Sequence, residues 1–160
     1  MSRYGVAQIC INGHLIKSGV APSPEKDFCK KCGAETITSC GACGAFIRGG
    51  LRHVRNGEEY VDALSRIPAF CEKCGQPYPW TESRIDAARD LADQLELDIP
   101  DRTLLEKSIE ELIRDTPKAP AEAIRFKTIV GKAQPWVLGA FREILFSSIS
   151  DAVRKLIWPV

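Results

Sequence analysis

The sequence predicts a small α+β protein in which short β-hairpins occupy the first half and helices the second. Two observations lead to this fold class. All seven cysteines lie between residues 10 and 74, among short aliphatic segments separated by glycine-containing turns. After Trp80 cysteine disappears, and apolar residues recur with helical spacing. We therefore expect one domain over residues 1–80 and an all-α domain of four helices over 81–160.

The composition is typical of a folded chain in a reducing compartment. The 160 residues allow one ordinary domain or two small ones. The sequence has no apolar run of about 18 residues and no basic-then-apolar leader, so we expect a cytoplasmic protein without a transmembrane helix. Thiols stay reduced in the cytoplasm, and the cysteines are therefore better explained as metal ligands than as disulfides.

The net charge of +1 hides three zones along the chain. Residues 1–80 carry ten Lys/Arg and seven Asp/Glu, residues 81–116 carry five and eleven, and residues 117–160 carry seven and three. The net charges of the zones are thus +3, −6 and +4. Neither basic zone is strong enough to require a nucleic-acid partner. The acidic and basic helical zones can simply pack beside each other.

Turn residues divide the first half into short elements. The Asn12-Gly13 pair predicts a hairpin turn, and prolines predict a loop before the first Cys-x-x-Cys pair. The expected elements are two strands within Tyr4–Ile16, a loop over Lys17–Asp27, a strand at Thr36–Thr38, and an irregular hairpin over Phe46–Val61 with turns at Gly49-Gly50 and Asn56-Gly57.

Apolar periodicity and prolines set the expected helices of the second half. We expect Thr81 and Asp101 to be N-caps, and Pro100 to end the first helix. The expected helices are Thr81–Leu97, Asp101–Arg114, Ala121–Lys132, and a long last helix over about 135–158.

Three Cys-x-x-Cys pairs, each followed by glycine, predict metal binding, and Cys10 with His14 forms a fourth pair around a turn. Eight ligands fill two tetrahedral zinc sites and leave no open position, which a catalytic zinc would need. We therefore expect two structural zinc ions per chain, with His53 as the competitor for the place of His14. The candidate ligands are Cys10, His14, Cys29 and Cys32 in site 1, and Cys40, Cys43, Cys71 and Cys74 in site 2.

The four pairs can combine in three ways. Loop lengths favour the sequential pairing, in which each site is a zinc ribbon made of two neighbouring pairs. A nested pairing leaves only Gly33–Ser39 between two ligand pairs of one site, and a crossed, RING-type pairing is sterically possible. A thioredoxin-like redox pair, a disulfide scaffold and an iron–sulfur cluster are the other interpretations of these cysteines.

The same motifs resemble those of an uncharacterised bacterial family, known only as a domain of unknown function, whose members begin with paired zinc ribbons. The similar run is Cys-x-x-Gly-His, Phe-Cys-x-x-Cys-Gly-Ala-x-Thr-Ile, Cys-x-x-Cys with Ile-Arg-Gly, and Phe-Cys-x-x-Cys-Gly-x-Pro-Tyr-Pro-Trp-Thr, at Cys10–His14, Phe28–Ile37, Cys40–Gly49 and Phe70–Thr81. The resemblance implies zinc and tandem ribbons followed by helices, and no established activity. Similar proteins look like accessory or defence-associated bacterial proteins.

Two functions are compatible with these features. In the first, the ribbons form a rigid platform and the last helix, with Trp136, Phe146 and Trp158 off its main apolar face, binds a protein partner or a second copy. In the second, nucleic acid binds to a basic cluster and to basic residues of the C-terminal region. The candidate nucleic-acid ligands are Arg48, Arg52, His53 and Arg55. No catalytic constellation meets the requirements of an active site, so we do not expect an enzyme.

Overall fold

The structure, a computed structural model, describes residues 3–20 and 27–159. The chain divides into two units, Met1–Glu82 and Ser83–Val160. The predicted loop Lys17–Asp27 begins too early, because Leu15–Val20 is a strand. The rest of that predicted loop, residues 21–26, lies outside the described residues.

One antiparallel sheet of five strands forms the first unit. The strands are β1 (Tyr4–Cys10), β2 (Leu15–Val20), β3 (Thr36–Ile37), β4 (Arg48–Arg55) and β5 (Glu58–Val61). Their order is β2-β1-β4-β5, and β3 pairs with the end of β1, where Ile9 lies opposite Ile37. Because strands from both predicted ribbons join this one sheet, the α+β class is confirmed but a tandem pair of separate ribbons is not.

The sheet curls until its outer strands approach each other. The Ser18 hydroxyl in β2 accepts a hydrogen bond from the backbone N–H of Leu64, just beyond β5, at 3.0 Å. A Cβ atom placed on Gly19 would lie 2.8 Å from the Val61 side chain. Small residues at these places therefore allow the two edges of the sheet to meet.

The prediction of a turn at Gly49-Gly50 is wrong, because both residues lie inside β4. A Cβ atom on Gly49 would lie 2.0 Å from the backbone oxygen of Ser18, and one on Gly50 would lie 1.8 Å from that of Asp62. Glycine within a strand marks such close approaches of two backbones. The other predicted turn of this hairpin, Asn56-Gly57, does reverse the chain, between β4 and β5.

The apolar core of the first unit is small. Its buried hydrophobic cluster consists of Ala7, Ile9, Cys40, Ile47, Cys71, Tyr78 and Trp80. Tyr78 and Trp80 stack with their ring centroids 4.7 Å apart, and the Trp80 indole N–H donates to the carbonyl of Pro68 at 2.8 Å. Two of the seven cluster members are cysteines, so this core includes part of the candidate metal centres.

Five helices follow in the described residues. They are α1 (Pro79–Asp93), α2 (Ile99–Arg114), α3 (Ala119–Val130), α4 (Pro135–Leu145) and α5 (Asp151–Ile157), with a 3-10 turn at Phe146–Ser148 between the last two. Helix α1 begins in the first unit and continues into the second. None of the helices described is long and apolar enough to cross a membrane.

Helices α1, α2 and α3 each begin two residues before their predicted starts. The reason is that a proline lies within the first turn of each helix. Proline fits there, since its missing N–H would have no partner in the helix. Thr81 is not an N-cap but lies inside α1, where its buried hydroxyl donates to the carbonyl of Ala69 at 2.7 Å. Asp98, not Asp101, caps α2 by accepting the backbone N–H of Asp101 at 2.8 Å.

The prediction of one long last helix is also wrong. The chain leaves the helical conformation at Ile149, with φ −113° and ψ 155°, and α5 starts after Ser150. Serines, which favour caps and turns over helix interiors, occupy positions 147, 148 and 150. Ile149 itself is fully buried. The break therefore turns an apolar side chain inward.

We predict that Gly49→Ala lowers the free energy of unfolding by about 2–3 kcal/mol, because the new methyl group overlaps the Ser18 carbonyl. Urea denaturation followed by circular dichroism measures this. The matched control is Gly139→Ala in α4, where the added Cβ meets nothing within 4 Å. That change should stabilise the protein by up to about 1 kcal/mol. Equal stability of the two variants would contradict the close approach within the sheet.

Candidate metal centres

The eight predicted ligands lie in two groups. Cys10, His14, Cys29 and Cys32 form one, and Cys40, Cys43, Cys71 and Cys74 form the other. Within each group, one ligand atom from every residue lies within 4.8 Å of all the others. The grouping follows the sequential pairing, and each group can hold one metal ion.

Four backbone turns of one design supply these ligands. In each turn the N–H of the leading cysteine bonds to a carbonyl across the turn, and its C=O accepts the N–H of a glycine. These glycines, at positions 13, 33, 44 and 75, have φ between 71° and 86°, a conformation that side chains disfavour. The leading cysteines are Cys10, Cys29, Cys40 and Cys71. We call these four turns metal turns. The metal turn between β1 and β2 is therefore one residue shorter than the other three.

The shorter turn explains the histidine in the first group. In the turn from Cys10, the glycine comes before the second ligand, and the backbone N–H of His14 points at the Cys10 sulfur at 3.2 Å. The longer imidazole side chain then reaches back into the group. Its Nδ1 lies 3.4 Å from the sulfur of Cys10 and 3.6 Å from that of Cys29.

The separations fit a tetrahedron around one ion. With Zn–S bonds of about 2.3 Å and Zn–N bonds of about 2.0 Å, a regular tetrahedron has S–S edges of about 3.8 Å and S–N edges of about 3.5 Å. The Sγ atoms of Cys10 and Cys32 are 3.8 Å apart, those of Cys40 and Cys74 are 3.8 Å apart, and those of Cys43 and Cys71 are 3.7 Å apart. A disulfide would instead bring two sulfurs to about 2.05 Å, and all seven cysteines are free.

Backbone amides prepare some of these sulfurs to be thiolates. The N–H of Ala34, with the Asn12 side chain, lowers the pKa of Cys32 to about 6, and the N–H groups of Cys74 and Lys73 lower the pKa of Cys71 to about 6. The N–H of Gln76 acts in the same direction on Cys74. Desolvation of the sulfur and the neighbouring cysteines outweigh it and raise that pKa to about 12. Four thiolates in one place repel one another, so this group needs a cation to be fully ionised.

Sequence reasoning missed two sets of supporting contacts. The Asn12 side-chain N–H donates to the sulfur of Cys32 at 3.4 Å, although Asn12 was interpreted only as a turn residue. The buried amide of Gln8 donates to the Thr36 hydroxyl at 2.9 Å and to the Asp27 carboxylate at 3.2 Å. These bonds tie β1 to the segments on either side of Cys29 and Cys32. The residue types alone give little indication of these hydrogen bonds, because the bonds depend on which segments the folded sheet brings together.

Three of the four candidate nucleic-acid ligands lie beside an acidic group. Arg48 pairs with Glu72 at 2.8 Å, and Arg52 pairs with Glu59 at 3.1 Å. His53 lies 2.8 Å from an oxygen of Asp62 and belongs to neither metal group. Arg55 is exposed at the end of β4. The cluster is therefore a hairpin in which acidic residues accompany the basic ones.

The chain belongs to a family of uncharacterised proteins conserved in bacteria, DUF2321, whose model matches residues 3–157. The predicted resemblance to such a family is thereby confirmed. Neither the curated proteins nor the solved structures contain a match to the chain.

We predict that Cys40→Ser lowers the number of bound metal ions from two to one per chain and destabilises the first unit, because the lost ligand removes binding energy that stabilises the fold. Elemental analysis measures the metal, and amide NMR spectra report on the sheet. The matched control is Lys73→Ser, which introduces the same residue at an exposed position of a metal turn. A Cys40→Ser protein with two ions and an unchanged spectrum would contradict this assignment.

Proposed function

We propose that this is a zinc-stabilised interaction protein of the bacterial cytoplasm, without catalytic activity, in which two structural zinc ions hold the first unit rigid. The observation behind this proposal is that each group offers four nitrogen or sulfur ligands at tetrahedral separations. Tetrahedral sets rich in sulfur suit zinc, and four protein ligands leave no position for a substrate. The closed sets favour a structural role over a catalytic one.

The first unit is proposed to be a pair of zinc ribbons that share one sheet. Each candidate centre joins two turns, as in a zinc ribbon, while β1 and β3 pair within a shared sheet. The cluster of buried side chains in this unit is small. Zinc binding would therefore supply folding free energy that this core lacks.

The helical unit is proposed to provide the surface for a protein partner. Trp136 in α4 is 65 % exposed and lines a groove of about 930 Å³. The lining combines apolar residues such as Leu97 with charged ones such as Asp98 and Lys132. Elsewhere on the same unit, Ile99 is 82 % exposed and Ile124 is 61 % exposed. Aromatic side chains in such positions are enriched at protein–protein interfaces. We take a second copy of the chain as the first partner to test, since the unit carries both an acidic and a basic zone.

We predict that a photo-crosslinking amino acid at position 136 captures a protein partner inside cells, because Trp136 is exposed and lines the groove. The matched control has the same amino acid at position 143, which is exposed on the same helix. A product of twice the chain mass, formed from 136 and not from 143, supports self-association. A specific product of another mass identifies a different protein partner. Equal labelling from both positions, or none, would contradict an interface at the groove.

Nucleic-acid binding is the alternative, using Arg48, Arg52 and Arg55 with the basic C-terminal region. The acidic partners of Arg48 and Arg52 count against it, because a phosphate would have to displace them. We predict no change in fluorescence anisotropy when labelled single- or double-stranded oligonucleotides meet the zinc-loaded protein at low salt. Binding that weakens steeply with added salt, and is lost in Arg55→Ala, would favour the alternative.

A further inference from the structure

Asn12 connects the two turns of the first metal centre. It lies in the turn between Cys10 and His14, and its side chain reaches a ligand of the opposite turn. The Nδ2 atom is 3.4 Å from the sulfur of Cys32. This sulfur belongs to an exposed residue, whereas Cys10 and Cys29 are buried. The amide therefore contacts the thiolate of the group that is most open to solvent.

Apart from backbone N–H groups, the exposed sulfurs of the second centre have no matching donor among the described residues. Cys43 and Cys74 are exposed like Cys32, and each is the second cysteine of its turn. The side chains within bonding distance of their sulfurs are other cysteines, Cys71 for Cys43 and Cys40 for Cys74. The two centres therefore differ at their exposed thiolates. One such thiolate receives a side-chain N–H, and the other two do not.

An N–H donor changes a metal-bound thiolate in two ways. It fixes the direction of the sulfur toward the ion, and it withdraws electron density that would otherwise attack an electrophile. The charges of the loaded centres add to this difference. Three thiolates, a neutral imidazole and Zn²⁺ sum to −1, whereas four thiolates and Zn²⁺ sum to −2. The exposed sulfurs of the second centre should thus be the stronger nucleophiles.

We propose that Asn12 is a positioning residue for Cys32, and that it makes the first centre retain zinc when electrophiles attack the second. This inference rests on the zinc binding proposed above. The chemical step is simple addition to a maleimide. The thiolate sulfur forms a bond to one alkene carbon, the other carbon takes a proton from water, and the Zn–S bond breaks. No oxidant or reductant is needed.

The test uses the zinc-loaded 160-residue chain and limiting N-ethylmaleimide, with peptide mapping to follow each cysteine. In the wild-type protein we expect Cys32 to react several-fold more slowly than Cys43 and Cys74. Asn12→Ala should raise the rate at which Cys32 is alkylated and leave the alkylation rate of Cys74 unchanged. It should also weaken zinc binding at the first centre about tenfold, which is typical of lost supporting contacts. Chelator competition measures the affinity.

Asn12→Asp separates positioning from turn formation. Aspartate suits the same turn but places a carboxylate, which repels the thiolate, where the donor was. We expect the Cys32 rate in Asn12→Asp to be at least as high as in Asn12→Ala. A wild-type Cys32 rate in either variant would overturn the role of Asn12. A Cys32 rate equal to that of Cys74 in the wild-type protein would overturn the inequality of the centres.

The metal content of the wild-type protein separates this inference from the proposed function. If the wild-type chain binds two zinc ions and the variants behave like it, only the role of Asn12 fails. If the wild-type chain purifies and reconstitutes without zinc, the proposed function fails and the inference fails with it.

Discussion

The mutual repulsion of clustered thiolates is the constraint on which the first unit depends. The sequence places seven sulfurs and one imidazole in two groups, with neighbouring atoms at 3.4–3.8 Å. Without a cation such groups can ionise only in part, because like charges at this distance raise one another's pKa. With a divalent ion the same separations become the edges of a tetrahedron. Full ionisation of the clustered ligands therefore requires the bound ion.

The sheet holds the four ligand turns in register. β1 ends at Cys10, and its last residues pair with β3, which lies between the Cys29/Cys32 turn and the Cys40/Cys43 turn. The short connection Gly33–Ser39 thus joins the two centres. It is also paired with β1, which carries Cys10 of the first centre. A shift of one residue in this pairing would turn β3 over and move the following turn. The pairing of β1 with β3 therefore fixes where the Cys40/Cys43 turn begins.

How far sequence could predict the structure depended on the range of the interactions. The metal turns were predictable, because their ligand spacing and glycines are local features. A pair of glycines predicts a turn at Gly49-Gly50, and nothing local reveals that the backbones of Ser18 and Asp62 approach these residues closely. The break at Ile149 was missed because apolar periodicity continues through it, although the serines around it gave a usable signal. The contact from Asn12 to Cys32 could not be inferred, because it crosses between two turns.

We propose that the first unit holds two separate, closed zinc centres. Zinc-edge X-ray absorption of the fully loaded protein tests it directly. Seven sulfurs and one nitrogen shared by two ions predict, per zinc, about 3.5 sulfurs at about 2.3 Å and about half a nitrogen at about 2.0 Å, with no zinc–zinc distance. A first shell containing water-like oxygen, a sulfur count near two, or a zinc–zinc vector of a shared cluster would contradict two separate, closed centres.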